Sequence, residues 1–146
     1  IYNHEVENST ATFDLVPRSI EVQREWIAAR SGAFSAIVAQ EAGAGVIGFA
    51  ALSTYRDRAG YRTTVENSVY VHRHHHQKGV GRLLLSSLVE IARDSGFHTV
   101  IARIDSQSHA SLALHRSLGF VEVGVEREIG RKFGRWLDSV IMQKML

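Results

Sequence analysis

Val69-Tyr70-Val71-His72-Arg73-His74-His75-His76-Gln77-Lys78-Gly79-Val80-Gly81-Arg82 sets two glycines and several basic side chains between a strand-like run and a helix-like one. Gly79 and Gly81 let backbone N–H groups approach an anion closely. A helix opening at Val80 adds unpaired N–H donors and the positive end of its dipole. Arg73, Lys78 and Arg82 supply charge. Together these features suit a pyrophosphate. Two other phosphate motifs fit less well. A Walker loop needs Gly-Lys-Ser/Thr, whereas Gly81 is followed by Arg82 and Leu83, and a dinucleotide G-x-G-x-x-G needs a glycine where Leu84 stands. Taken alone, the loop is equally compatible with a strand-to-helix turn whose glycines solve only a steric problem. His72, His74, His75 and His76 are too crowded along the chain to converge on one ion, and no acidic cluster accompanies them, so no metal site is expected.

The elements that must hold this loop are legible in the pattern around it. Ile1 to Val6 is short and ambiguous, resembling the end of a helix. Pro17 and Ser19 mark a helix entry, and that helix runs to about Arg30 and stops at Gly32. Phe34 to Ala39 and Val46 to Tyr55 read as strands joined by the turn Glu41-Ala42-Gly43-Ala44-Gly45. Arg56 to Arg62 is a charged loop, and Thr63 to His72 is the next strand. Val80, Leu84, Leu88 and Ile91/Ala92 recur at helical spacing up to Gly96. His98 to Ile104 reads as a buried strand and Ala110 to Leu118 as a short helix ended by Gly119. Phe120 to Val125 and Trp136 to Met142 are two last strands, separated by a loop containing Gly130 and Gly134. The expected fold class is a mixed α/β (α+β) sheet in one domain over 1–146, with helices flanking it.

Composition narrows the function classes. With 146 residues, 45% apolar and 22% charged, the chain has ordinary globular composition. No apolar run is long enough to cross a bilayer, so no membrane partner is expected. A net charge of +2, with the basic residues gathered at one loop and no interleaved aromatics, argues against nucleic acid. The absence of cysteine excludes disulfides, Cys-ligated zinc and a thiol nucleophile, and fits a reducing cytoplasm.

The His76-Gln77-Lys78-Gly79-Val80-Gly81 loop, its helix and Ser108 to Phe120 (SHASLALHRSLGF) resemble the acetyl-CoA core of the GNAT superfamily. More closely, the chain is similar to the phosphinothricin and methionine-sulfoximine N-acetyltransferase group. The matching segments are Ile1-Tyr2-Asn3-His4, Ser9 to Phe13, Thr64 to Val71, Leu114-His115 and Lys132 to Asp138. The resemblance implies a mostly antiparallel, twisted GNAT sheet. That family begins with a strand ahead of its first helix, and the chain starts too late to contain it, so one edge strand is expected to be missing. The implied activity is transfer of acetyl from acetyl-CoA to the amine of a small, acidic, amino-acid-like acceptor. Homodimers are the usual form in that group, and one is expected here by analogy.

The same resemblance assigns roles. Cofactor contacts fall to Val69, Tyr70, Val71, His76, Gln77, Lys78, Gly79, Val80, Gly81, Arg82, Ser108 and Ser111, with backbone N–H groups around Val69 to Val71 as oxyanion donors. Two of these depart from the family pattern: His76 replaces a Gln or Arg, and Ser108 replaces an Asn. Glu66 matches the general base, against the plain alternative of a solvated strand-end glutamate. His115 stands where many GNAT enzymes carry an acidic tyrosine. A core histidine hydrogen-bonded in its helix is the equal alternative, and Tyr70 is a further candidate acid. Phe13, Arg58 and Tyr61 match acceptor contacts, the arginine fork suiting a carboxylate or phosphinate, against the equal alternative that Arg56 to Arg62 is a solvated surface loop. The competing functions are a GNAT enzyme acetylating a protein N-terminus or lysine, and an acetyl-CoA-binding module without turnover.

Overall fold

The computed structural model describes residues 1–146. Tyr2–Asn8 forms α1, and Ile20–Ala28 forms α2, capped by the Ser19 hydroxyl, which accepts the Val22 N–H at 3.2 Å. Strands β1 (Ala36–Glu41), β2 (Gly45–Thr54) and β3 (Thr64–Val71) follow as an antiparallel meander. Then come α3 (Val80–Asp94), β4 (Thr99–Asp105), α4 (His109–Ser117), β5 (Val121–Lys132) and β6 (Arg135–Met145). The sheet has six strands in the order β1-β2-β3-β4-β6-β5. Short 3-10 turns at Gly32–Phe34, Ala59–Tyr61 and Arg73–His75 join the elements.

The core forms where α3 lies on the sheet. Leu84, Leu85, Leu88, Val89 and Ala92 recur on one face of α3 and are buried. They meet Ala50 and Leu52 of β2, Val65 of β3, and Val100 and Ala102 of β4.

Only one neighbouring pair of strands is parallel, β3 with β4, and their register covers just Thr64–Glu66 against Thr99–Ile101. Beyond Glu66 the two strands part. β3 continues along β2 as far as Val71, while β4 continues along β6. The opening between them is the feature that positions the site.

Two expectations needed correction, and one ambiguity was resolved. The ambiguous start is a helix, α1, tied down by Asn3, whose side chain donates to Arg18 O at 2.8 Å and accepts from Arg18 N at 2.9 Å. Phe34 belongs to a 3-10 turn, and β1 begins only at Ala36. The expected loop across residues 126–135 is instead strand almost throughout, turning at Phe133 and Gly134. Its alternation is broken by a bulge between Glu126 and Gly130, where Glu128 takes φ of 50° and donates its N–H to Asp138 Oδ1 at 2.8 Å. The extra residues put charged side chains out of phase, which hid the strand from a period-two reading.

Candidate functional site

Two cavities meet at the opening. The first, of about 530 Å³, is lined by Val69, Tyr70 and Val71 of β3, by His76, Gln77, Gly79, Gly81 and Arg82, and by Ser108, Ser111 and Leu114 around α4. The second, of about 410 Å³, holds Glu66, Asn67, Arg103, Asp105, His115 and Glu126. Val69, Tyr70, Ser108 and Ser111 border both, as do Thr10 and Ala11 of the segment after α1.

The first cavity has the chemistry to take an anion. Gly79 sits at φ of 83°, a left-handed conformation that an L side chain adopts only with strain, and it turns the chain into α3. Its carbonyl accepts the Leu83 N–H at 3.0 Å. Val80, Gly81 and Arg82 therefore point their N–H groups out of the helix end with no intrahelical acceptor. His76 does not lend its ring to this cradle, because Nε2–H donates to Val71 O at 2.9 Å. The Arg82 guanidinium reaches sideways to Ser117 Oγ at 3.0 Å, anchoring α3 against α4. Lys78 and Val80 do not line the cavity: Lys78 is exposed beside it, and Val80 packs against the core.

Strand geometry supplies further donors. His72 N–H donates to Ile47 O on β2 at 2.8 Å. Because amides alternate along a strand, Val71 and Val69 direct theirs the other way, into the opening that β4 has left. These are free backbone donors between the two cavities.

Glu66 and His115 approach the second cavity from different layers. Glu66 is half-buried on β3, and burial pushes its carboxyl above the usual carboxylate range, with Arg103 pulling it back and Glu126 adding to the rise. His115 is buried on α4, its ring packed edge-on against Phe120 at 5.0 Å. Nδ1–H donates to Ser111 O at 2.8 Å, and Nε2 lies 3.3 Å from the Asn67 carboxamide. Burial pushes the imidazole below its ordinary value, against the opposing effect of the Ser111 bond. Tyr70 is pressed between Tyr2 (5.0 Å, edge-on) and Phe49 (5.2 Å, stacked). Its phenol is raised far above the ordinary tyrosine value, chiefly by burial, so it holds its proton more tightly than a free phenol.

The segment Ser9–Phe13 roofs both cavities and is held at four points. Thr10 Oγ1 hydrogen-bonds Asp105 Oδ2. Thr12 Oγ1 meets Tyr2 Oη at 3.0 Å, and Lys132 Nζ donates to Thr12 O at 2.7 Å and to Glu5 O at 3.3 Å. Phe13, on the wall of the second cavity, packs onto Gly130.

Arg58 and Tyr61 do not reach either cavity wall. Tyr61 packs edge-on against Tyr55 at 5.5 Å, and Arg58 caps the 3-10 turn at Ala59–Tyr61, in an exposed stretch. The guanidinium inside the second cavity is that of Arg103, which pairs with Glu126 at 3.5 Å. Sequence reasoning missed Arg103, Asn67, Asp105 and Lys132. Alternation along β4 could have flagged Arg103 and Asp105 as polar breaks in a buried strand. Nothing local marks Asn67 or Lys132. No group of three or more histidine, cysteine, aspartate or glutamate side chains is arranged to hold a metal ion.

The model of the Acetyltransferase (GNAT) family matches residues 2–120. The L-amino acid N-acyltransferase MnaT of Escherichia coli K12 is 44% identical over 146 residues, covering all of this chain and 85% of that protein. The L-methionine sulfoximine/L-methionine sulfone acetyltransferase of Pseudomonas paraeruginosa is 42% identical, over 98% of this chain and 84% of that protein. Among solved structures, a ribosomal-protein-alanine N-acetyltransferase from Brucella melitensis superimposes with a TM-score of 0.96 at 41% identity, covering 100% of this chain and 90% of that one. An acetyltransferase structure from Salmonella typhimurium, described with its cofactor acetyl-CoA, gives 0.95 at 42% identity, with 99% and 84% covered.

Proposed function

Since the chain belongs to the acetyltransferase (GNAT) family and is an acetyl-CoA-dependent N-acetyltransferase, we propose that its acceptor is the amine of a small, acidic, amino-acid-like molecule of the methionine sulfone, methionine sulfoximine or phosphinothricin type. One observation carries the reading. A cavity of about 410 Å³ containing a raised carboxyl, Glu66, adjoins a cavity that ends on the N-terminus of α3.

The residues divide the work accordingly. The N–H groups of Gly81 and Arg82, which line the first cavity at the start of α3, receive the coenzyme's diphosphate. The acetyl thioester supplied by acetyl-CoA then lies along Val69 to Val71, whose outward amides stabilise the oxygen as negative charge develops. Glu66, as the carboxylate, takes the ammonium proton directly or through a water, freeing the lone pair for attack. The C–N bond forms, and the tetrahedral adduct collapses with cleavage of the C–S bond. Coenzyme A leaves as a thiolate that takes up, by way of water, the proton the new amide nitrogen sheds. Arg103 offers the acceptor's acidic group a guanidinium inside the cavity, with Phe13 as an apolar wall.

We infer further that the protein works as a homodimer in the cytoplasm. Exposed Val121, Val123, Val125 and Ile129 along edge strand β5 support association. The absence of cysteine fits a reducing compartment. The test is thiol release from acetyl-CoA across a panel of amines. Turnover of amino-acid analogues supports the proposal. Turnover of peptides alone would transfer the acceptor to protein N-termini, as the name of the Brucella neighbour states for that protein.

A further inference from the structure

Asn67 is buried, and its carboxamide presents Oδ1 to His115 Nε2 at 3.3 Å while Nδ2 has no partner. Its partner's protonation follows from the other ring nitrogen. The Ser111 carbonyl can only accept, so the 2.8 Å contact requires a proton on His115 Nδ1. Nε2 then carries either a lone pair or the second proton of an imidazolium.

An imidazolium there would be a buried cation without a counter-charge. The charged groups on the surrounding elements are Glu66 of β3, Arg103 and Asp105 of β4, Glu126 of β5, and Arg116 of α4 itself. None of them forms an ion pair with the ring: its nitrogens meet only Ser111 O and the Asn67 carboxamide, and Glu126 pairs with Arg103 instead. Arg116 is exposed and pairs with Glu122 at 3.1 Å, and Asp105 accepts from Thr10 and from Gln107 N–H. Burial dominates and lowers the imidazole's basicity. Nε2 is therefore a lone pair, and a lone pair facing Oδ1 would be repelled. Turning the carboxamide by 180° exchanges two atoms of equal size. It lets Nδ2–H donate to Nε2 and replaces an orphaned donor by an under-used acceptor, the milder fault.

We propose that Asn67 is a positioning residue for the transfer reaction: its amide N–H donates to the bare Nε2 of the Nδ1–H tautomer that Ser111 selects, and ties α4 to β3 across the opening where β3 and β4 part. Asn67 follows the last residue of the β3–β4 register, Glu66, and α4 follows β4 directly. The hydrogen bond thus spans the mouth of the V at the level of the proposed base. His115 in this state has no Nε2 proton to give the departing thiolate. Its work is to hold the gap open at a fixed width.

The tautomer measurement needs no acceptor, so it stands or falls separately from the reading of the substrate. Long-range 1H–15N correlation on the 15N-labelled full chain reads each ring nitrogen directly. At neutral pH the expected result is a protonated Nδ1 and a bare Nε2 on His115. In Asn67→Asp the new carboxylate accepts where the amide donated. Nε2 gains a proton, and the titration midpoint moves to higher pH by about tenfold or more in proton affinity. In Asn67→Ala, kcat falls while acetyl-CoA affinity holds; the Ser111 carbonyl keeps the proton on Nδ1, and the 15N shift of Nε2 moves to that of a nitrogen without a hydrogen-bond donor. A proton on Nε2 in the unmodified protein overturns the proposal. So does a folded Asn67→Asp variant, judged by its amide spectrum, whose His115 titrates as before.

Discussion

A Cβ placed on Gly130 would stand 2.5 Å from Cδ2 of Phe13, well inside any real contact. Phe13 walls the second cavity, the proposed acceptor site, and Gly130 lies just past the β5 bulge, so a change in the hairpin is transmitted to the cavity. Gly130→Ala is expected to displace the ring at little cost in stability, because Phe13 is 38% exposed and its ring can swing aside. Steady-state kinetics should show a raised KM for the acceptor, with acetyl-CoA affinity little altered. An unchanged acceptor KM would mean that Phe13 does not shape the cavity.

Lys132 works on the same segment from beneath. Its ammonium is buried and donates to Thr12 O and Glu5 O. Lys132→Met keeps the stem and removes both bonds, leaving two carbonyls to find other partners. Urea denaturation should register a loss of about 1–3 kcal/mol. Acceptor KM should rise as the roof over both cavities loosens.

Glu66→Gln keeps size and removes the proton acceptor. Turnover should fall by about 10²- to 10⁴-fold, the range for positioned proton transfer. Calorimetric affinity for CoA should persist. The pH profile has a defined sign. A base acts when deprotonated, and burial raises the Glu66 pKa. The acid limb of kcat/KM should thus lie above the ordinary carboxylate range and vanish in the variant. Full activity in Glu66→Gln would end its assignment as base.

His115 should make stability pH-dependent. Its folded pKa is lowered from 6.5, so between that value and the folded one the unfolded chain binds the additional proton. Stability is fully present above 6.5 and declines as pH falls through that window. His115→Gln should flatten this part of the curve. Urea midpoints collected down the pH scale for both proteins will decide it.

Gly79→Ala probes the anion cradle. A side chain at φ of 83° costs roughly 1–2 kcal/mol. If the loop flattens to relieve it, the helix amides turn away from the diphosphate. CoA affinity should drop by about tenfold, the equivalent of roughly 1.4 kcal/mol. Unaltered calorimetric affinity would separate the Gly79 turn from coenzyme binding.

The sequence by itself determined the elements that carry a strong local period. The spacing of Leu84, Leu88 and Ala92 makes α3, and the glycines before it make a strand-to-helix turn, which by sequence alone was open to being either an anion cradle or a steric solution. Gly43, Gly45 and Gly79 took the positive φ that their turns require. The strands flanking α3 were legible for the same reason, as was Glu66 as a carboxylate at the head of β3. Tertiary structure decided what lies opposite what. Arg58 and Tyr61 are near Glu66 in sequence yet lie off both cavities, whereas Arg103, on the next strand, lines the second cavity with Glu66. Asn67 and His115 meet across 48 residues because β3 and β4 part after three register pairs, and no local pattern encodes where parallel strands separate. The β5–β6 hairpin hid for a related reason. A bulge shifts the side-chain phase, and only cross-strand hydrogen bonding restores the strand that alternation no longer announces.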